Sequence, residues 1–313
     1  MTKYLSRRLL MLAVTLAVSS FVVFSGIRLA PGDPIAALAA GRSLPPESVA
    51  ALRERYHLDA PFFEQYLTWV GHAFRGDLGV SITLRQDVTD LIGARVGTTL
   101  FLVGYATLII IVVGLAVGLL GALRPGRVDS AVVVTTSAMV AVPPFVAAIV
   151  LIAVFAVGLG WFPAFGTGSG FLDSVRHLTL PAFALAGAAT ASLARVTRAA
   201  VREQLEREHV QTAISRGISY PLVVWRHAVR NAAAPIVTLT GITVASLITL
   251  AAVVERTFGL NGLGAYLVNA TLSKDLAVVQ GICLVMVVAF ILINTVVDVV
   301  VALIDPRVAL GQR

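Results

Sequence analysis

Ionisable residues are scarce in this chain, and the stretch where they crowd is the first place to look for chemistry. From Arg195 to Gly217 the sequence carries Arg198, Arg202, Glu203, Glu206, Arg207, Glu208, His209 and Arg216, with no Gly or Pro between Arg198 and Arg216. That composition predicts a helix over 198–216. Arg202/Glu206 and Glu203/Arg207 stand four apart and form ion pairs, the second in the better orientation. Val201, Leu205, Ala213 and Ile214 supply an incomplete apolar stripe. Gly217 suits the left-handed residue that stops a helix, and Pro221 lets a second one begin. The second helix carries Trp225, Arg226, His227 and Arg230 towards Pro235. The chemistry this pattern suits is recognition: a helix, a tight Gly turn and a second helix that fit a groove on a soluble partner and transmit its rigid-body motion. The plainer alternative is a charged surface loop that ends a membrane helix.

Other candidate sites are thin. His57, His72, His177, His209 and His227 lack the spacing of a metal site. Ser137, Ser192 and Ser246 have no His partner, which argues against a membrane-embedded hydrolase. No G-x-x-x-x-G-K-[ST] pattern surrounds either lysine, Lys3 or Lys274, so this chain does not bind ATP by that route. Gly259, Gly262 and Gly264 follow an apolar run rather than a strand, which excludes a dinucleotide fingerprint. They read instead as a turn at the extracytoplasmic mouth, with Gly262 and Gly264 as candidate periplasmic gate residues. Cys283 is the single cysteine and sits in an apolar run. Asp298 lies in the last turns of the final apolar run, either as an intramembrane functional charge or as a structural pairing. Glu255 and Arg256 are expected just outside the fifth run.

The elements that hold these residues are membrane helices. The 313 residues are 58% hydrophobic and 13% charged, about half the charge of a soluble domain. Lipid is the solvent this implies. Stretches of about 20 apolar residues span a bilayer, and six qualify: 9–30, 98–123, 131–159, 178–196, 232–254 and 277–303. The fold class is an all-α membrane protein. The net charge of +7, from 24 basic and 17 acidic residues, falls between spans rather than on a polar domain, which points to orientation and anionic lipid, not nucleic acid. Lys3, Arg7, Arg8, Arg124, Arg127, the loop arginines, Arg307 and Arg313 all fall on one side of an even number of spans. Both termini are therefore expected in the cytoplasm.

Residues 1–30 read as an uncleaved signal anchor, because the apolar run is longer than a signal peptide's. Residues 31–97 read as an extracytoplasmic segment, 98–303 as a five-helix core that includes a coupling loop at 197–231, and 304–313 as a cytoplasmic tail. Within 31–97, helices are expected at 45–56 and 59–74. The second carries Phe62, Tyr66, Leu67, Trp69 and Val70, a set suited to the membrane surface or to a partner. Gly114 and Gly118 have the spacing that lets membrane helices approach closely. Pro143-Pro144 predicts a kink in the third span, or a functional hinge.

The loop resembles the "EAA" loop of binding-protein-dependent ABC importer permeases, E-A-A-x-x-x-G. Gln211-Thr212-Ala213 stand at the E-A-A positions and Gly217 at the glycine. The general I-x-L-P continuation is absent. In its place stands Arg226-His227-Ala228-Val229-Arg230-Asn231-Ala232-Ala233-Ala234-Pro235, which is similar to the R-H-A-x-R-N-A-x-x-P of the dipeptide/oligopeptide branch, whose R-T-A-x-x-x-G has Arg where Gln211 stands. The B-type permeases of that branch also resemble this chain at Leu29-Ala30-Pro31-Gly32-Asp33-Pro34, Arg75-Gly76-Asp77-Leu78-Gly79, Val142-Pro143-Pro144-Phe145 and Leu159-Gly160-Trp161-Phe162-Pro163-Ala164, and the closing Asp305-Pro306-Arg307 is similar to the family at large.

The resemblance implies a type I importer permease, itself not an enzyme. It pairs with a homologous C-type permease, takes substrate from an extracytoplasmic binding protein, and couples to two cytoplasmic ATPases that use ATP and Mg. Glu203, Gln211, Thr212, Ala213, Arg216, Gly217, Arg226, His227, Arg230 and Asn231 are the expected coupling residues. Di- and oligopeptides are the expected substrates; nickel chelates, glutathione and opines are served by the same branch. An ion-driven secondary transporter is the rival reading, but it would favour inverted repeats and deep acidic residues, and neither is visible.

Overall fold

A computed structural model describes residues 2–28, 47 and 60–304. The helix expected at 45–56 and the 305–307 motif lie outside the described residues. The described chain is built from helices, and these are numbered here in chain order. α1 is Thr2–Arg28, α2 is Phe62–Phe74, α3 is Val88–Leu123 and α4 is Arg127–Ala141. α5, Pro144–Leu151, continues in wider π-type turns over Ile152–Gly158. α6 is Phe171–Leu205, α7 is Glu208–Ser215, and α8 is Tyr220–Val223 with a π-type continuation over Val224–Val229. α9 is Ala233–Thr257, α10 is Leu263–Leu272 and α11 is Leu276–Ile304.

Among the described residues, α3, α6, α9 and α11 are each long and apolar enough to cross a membrane. The third apolar run is not one rod. α4 and the α5 unit meet at 101° and make a span only together. The cause is Pro143-Pro144: a residue before proline is pushed out of the helical region, and both Val142 (ψ 116°) and Pro143 (ψ 146°) precede one. The expected kink is therefore a corner, with Pro144 opening α5. α1 contributes the apolar stretch Leu10–Gly26 and packs on α11.

The core forms around α3 and α6, which lie side by side. At Gly118 a side chain would meet Thr197 Cβ at 2.6 Å and the Ala194 carbonyl oxygen at 2.7 Å, and at Gly114 one would meet Leu193 at 3.1 Å. The small-residue spacing thus brings two backbones together, as expected. α9 touches α3, α5, α6, α10 and α11. The buried cluster includes Leu102, Ile110, Leu178, Leu193, Leu247 and Phe258. Apolar side chains such as Leu108, Val112, Val134 and Ile149 stand exposed on the outside, as lipid solvation permits.

Replacing Gly118 by Val forces an overpacked contact that costs about 1–3 kcal/mol. Gly104, where a side chain would meet nothing within 4 Å, is the control. We expect Gly118→Val to lower the Tm of the detergent-purified protein and Gly104→Val to leave it unchanged; equal melts would place α3 and α6 further apart.

Candidate coupling site

Two ends of the bundle carry the polar chemistry. At the first, α6 does not stop where its apolar run stops but continues as a rigid bar to Leu205. The helix expected over 198–216 is in fact two. The chain breaks at Arg207, whose backbone is extended (φ −70°, ψ 145°), and restarts as α7. Neither Gly nor Pro causes the break. Packing does: turning α7 back lets Val210 and Ala213 bury against Val223, Leu205 and Ile218, and that gain overrides helix propensity. Gln211 Nε2 donates to the Leu205 carbonyl oxygen at 3.2 Å, so a candidate coupling side chain satisfies the exposed end of α6.

The far end of α7 is closed by two hydrogen bonds. Gly217 N–H donates to the Ile214 carbonyl at 2.9 Å and Ile218 N–H to the Ala213 carbonyl at 3.3 Å. Together with Gly217 at φ +80°, this is a Schellman motif, and Ile218 supplies its hydrophobic contact. Gly217 therefore occupies the role its position predicts. α8 then opens with Pro221 in its first turn, and the Arg226-His227-Ala228-Val229 stretch follows in π-type turns. Asn231 Nδ2 donates to the His227 carbonyl at 2.7 Å and lies 3.3 Å from His209 Nε2. His209, His227 and Asn231 are thus brought together. Gln211, Thr212, Arg216, Arg226 and Arg230 stay exposed, and Ala213 faces inward. Glu203 lies on α6 and pairs at 2.6 Å with Arg207, the residue just before α7; Arg202 and Glu206 pair at 3.5 Å. Ile214, Tyr220, Leu222 and Trp225 are exposed beside the polar groups, which makes the outward surface mixed rather than purely charged.

One structural contact was not visible in sequence. Asp129, in the first turn of α4 and ahead of the apolar run, grips Arg198 with both oxygens and accepts from Arg202 Nη1 at 2.9 Å. This clamp fixes α6 to α4 where α6 leaves the bundle. The paired guanidinium of Arg198 holds the Asp129 carboxyl below its ordinary range. The signal available was Arg198 and Arg202 one turn apart, facing a lone acid after a Gly turn.

At the opposite end, Glu255 is fully buried within α9 rather than just beyond the fifth span. Thr99 Oγ1 of α3 donates to its Oε1 at 2.6 Å, and Ala265 N–H of α10 donates to its Oε2 at 2.9 Å. Leu263 N–H donates to Thr99 Oγ1 at 2.8 Å. The carboxylate therefore caps the amino end of α10, where the helix dipole favours it. Gly262 and Gly264 sit at this joint, buried. A side chain at Gly262 would fall 2.2 Å from the Glu255 carboxylate, and one at Gly264 would fall 2.4 Å from Ala252 Cα. Nearby, Asp275 accepts from Ser81 Oγ at 2.6 Å and Thr83 N–H at 3.1 Å, tying the 79–87 loop to the start of α11. Among the described residues no group of His, Cys, Asp and Glu could hold a metal.

Residues 110–310 match the family described as "Binding-protein-dependent transport system inner membrane component", and residues 1–103 match its amino-terminal counterpart. The chain belongs to this permease family. It is 36% identical over 309 residues to the glutathione transport system permease protein GsiC of Escherichia coli O6:H1, covering 98% of this chain and 99% of that one. It is 35% identical over 332 residues to the di/tripeptide transport system permease protein DppB of Pseudomonas aeruginosa, again covering 98% and 99%. A crystal structure of an amino acid ABC transporter with histidines shares the fold, with a TM-score of 0.52, 16% identity, and coverage of 70% of this chain and 94% of that one. As a binding-protein-dependent permease, this multi-pass protein is a non-catalytic subunit of an ABC importer in the inner membrane. The ATPase is a separate chain, and the family works with permease, ATPase and binding-protein partners.

Two outcomes follow. Asp129 has a lowered pKa, so its contribution is full above the ordinary value of 3.8 and fades as pH falls through the lowered one. Asp129→Asn should melt below the parent at pH 7, with the gap closing under pH 3.8; a gap that persists in acid would mean the clamp is not ionic. Gly217→Ala places a side chain in the left-handed region at about 1–2 kcal/mol. Amide exchange in α7 should then speed up roughly tenfold, with α3 and α6 unaffected.

Proposed function

We propose that this chain is one of two membrane subunits of an ATP-driven importer of short peptides, with glutathione and di- and tripeptides as the substrate class. The observation that carries the reading is the seat of α7: a short helix closed at Gly217, buried on one face at Val210 and Ala213, and offering Gln211, Thr212, Ile214 and Arg216 outward. A helix held in this way suits a groove on a soluble partner. Its seat on the end of α6 makes it a lever for moving the bundle.

In this reading the partner permease is a homologous C-type subunit, and two cytoplasmic ATPases dock on 208–231. ATP and Mg2+ are consumed by those chains. An extracytoplasmic binding protein delivers substrate. ATP binding draws the ATPases together, the α7 levers swing, and the cavity opens outward; hydrolysis resets it. Both termini lie in the cytoplasm, because the arginine-rich connections at 124–127 and 198–230 share one end of the bundle. The substrate class is supported by two full-length relatives, one named for glutathione and one for di- and tripeptides. Both substrates are small, polar and carry a free carboxylate. Neither suits an apolar, charge-specific tunnel, and the described spans hold few ionisable side chains.

The test is copurification of the tagged subunit in mild detergent. Wild type should bring down a second permease, two Walker-motif ATPases and a peptide-binding protein. Val210→Asp, which unseats α7 from within, should release the ATPases and keep the second permease. Retention of ATPases by that variant would move the docking site off α7; uptake with no ATPase at all would overturn the reading.

A further inference from the structure

α2 sorts its side chains onto three flanks. Phe62, Tyr66 and Trp69 turn to α1. Their rings meet Phe21 and Phe24 with centroids 5.3 to 5.9 Å apart. Glu64, Thr68 and His72 form a polar flank, all exposed. The third flank is a row at spacings of four, three and four, Phe63, Leu67, Val70 and Phe74, in which Phe63 also stacks one face on Phe21 of α1 with centroids 6.1 Å apart. Phe63, Leu67 and Phe74 are 68%, 67% and 89% exposed. Spacing of this kind makes a continuous apolar stripe along a helix.

What covers the stripe follows from where α2 is fastened. The Tyr66 hydroxyl lies 2.9 Å from Ser20 Oγ and donates to the Ala17 carbonyl oxygen at 3.3 Å. Ala17 and Ser20 are at the middle of the apolar stretch Leu10–Gly26. Only the Tyr66 hydroxyl reaches that level; the rings of α2 rest on Phe21 and Phe24, in the outer half of the stretch, which sets α2 at the outer boundary of the hydrocarbon and not in the aqueous space beyond it. α1 in turn presents Val14, Val18 and Val22, each more than half exposed and one turn apart, an apolar face of its own. Trp69 and Tyr66 have the amphipathic rings that concentrate at membrane interfaces. After α2, the chain turns at Gly76 (φ +83°) and rises to the outer ends of α3 and α11, where Gly79 lies beside Ala277.

We infer that α2 is a monotopic helix of the outer leaflet, with Phe63, Leu67, Val70 and Phe74 set into lipid acyl chains and Glu64, Thr68 and His72 turned to the aqueous side. The surface is a lipid-binding one, and its partner is the bilayer itself. Functionally it would hold the first span at a fixed depth and angle while the remaining helices move. This rests on the membrane topology and not on the ATPase-docking reading, so either can fail alone.

The test uses the assembled importer in lipid nanodiscs, on a Cys283→Ala background. Bimane is attached through Phe63→Cys, Leu67→Cys or Phe74→Cys, and through Glu64→Cys or His72→Cys. Val18→Cys on α1 is the lipid-facing reference. Nitroxide-bearing lipid should quench the first three as strongly as the reference and several-fold more than aqueous iodide does; the polar pair should show the reverse. Strong iodide quenching of the row would overturn the inference by placing it in water. Quenching by neither agent would overturn it too, with a protein partner or another segment of the chain as the cover. Unmodified importer is checked with a photoactivatable acyl-chain lipid. Adducts on the 62–74 peptide are expected, and their absence beside adducts on α1 would likewise sink the proposal.

Discussion

The structure depends on how closely α3 and α6 approach at Gly114 and Gly118. Helices in lipid gain little from hiding apolar side chains, since the solvent is as apolar as they are; contact has to come from packing. Two glycines one turn apart let Leu193, the Thr197 side chain and the Ala194 carbonyl come where a side chain would otherwise stand. Both partners of this seam are far longer than a bilayer needs. α3 reaches back to Val88 at one end of the bundle, and α6 reaches forward to Leu205 at the other. A single close-packed pair therefore carries an attachment point at each face.

Each attachment point is organised by a carboxylate, with different physics. Asp129 sits near water and is held by two cations, so its bond is a charge-assisted clamp between helix ends. Among the described residues no cation pairs with Glu255. It is committed instead to Thr99 and to the amino end of α10, where N–H groups and the helix dipole replace lost water. The same joint requires Gly262 and Gly264, because the carboxylate and Ala252 occupy the space their side chains would need. The candidate gate residues and a buried acid thus form one packing unit that joins α10 to α9.

The sequence revealed the apolar runs, the basic loop and the position of Gly217 because each depends on neighbours in the chain. Composition identifies a span. A glycine after a charged helix identifies a Schellman turn, and hydrogen bonds to Ile214 and Ala213 complete it. Pro143-Pro144 announced a distortion, though the size of the corner needed both residues before a proline to be extended. The rest depended on distant partners. Nothing near Arg207 forecasts a helix break, since the cause is Val210 and Ala213 reaching Val223. Glu255 looked peripheral because Thr99 is 156 positions away. The Asp129 clamp crosses 69 positions to Arg198. Local signals gave elements and caps; long-range side-chain bonds decided where elements end.

That division bears on how one permease fold can serve several small polar cargoes. A charged substrate crossing an apolar protein could be met by fixed opposite charges, but such sites bind tightly and release slowly. Here several charged groups of the described bundle are engaged in structure. Asp129 and Arg198 satisfy each other, Asp275 holds the 79–87 loop, and Glu255 caps α10. Groups already engaged cannot also grip a cargo without releasing a helix end. The fixed charges just named therefore serve helix ends and joints rather than a cargo site. Peptide uptake, with its variable side chains and constant polarity, is the kind of transport that such a path suits.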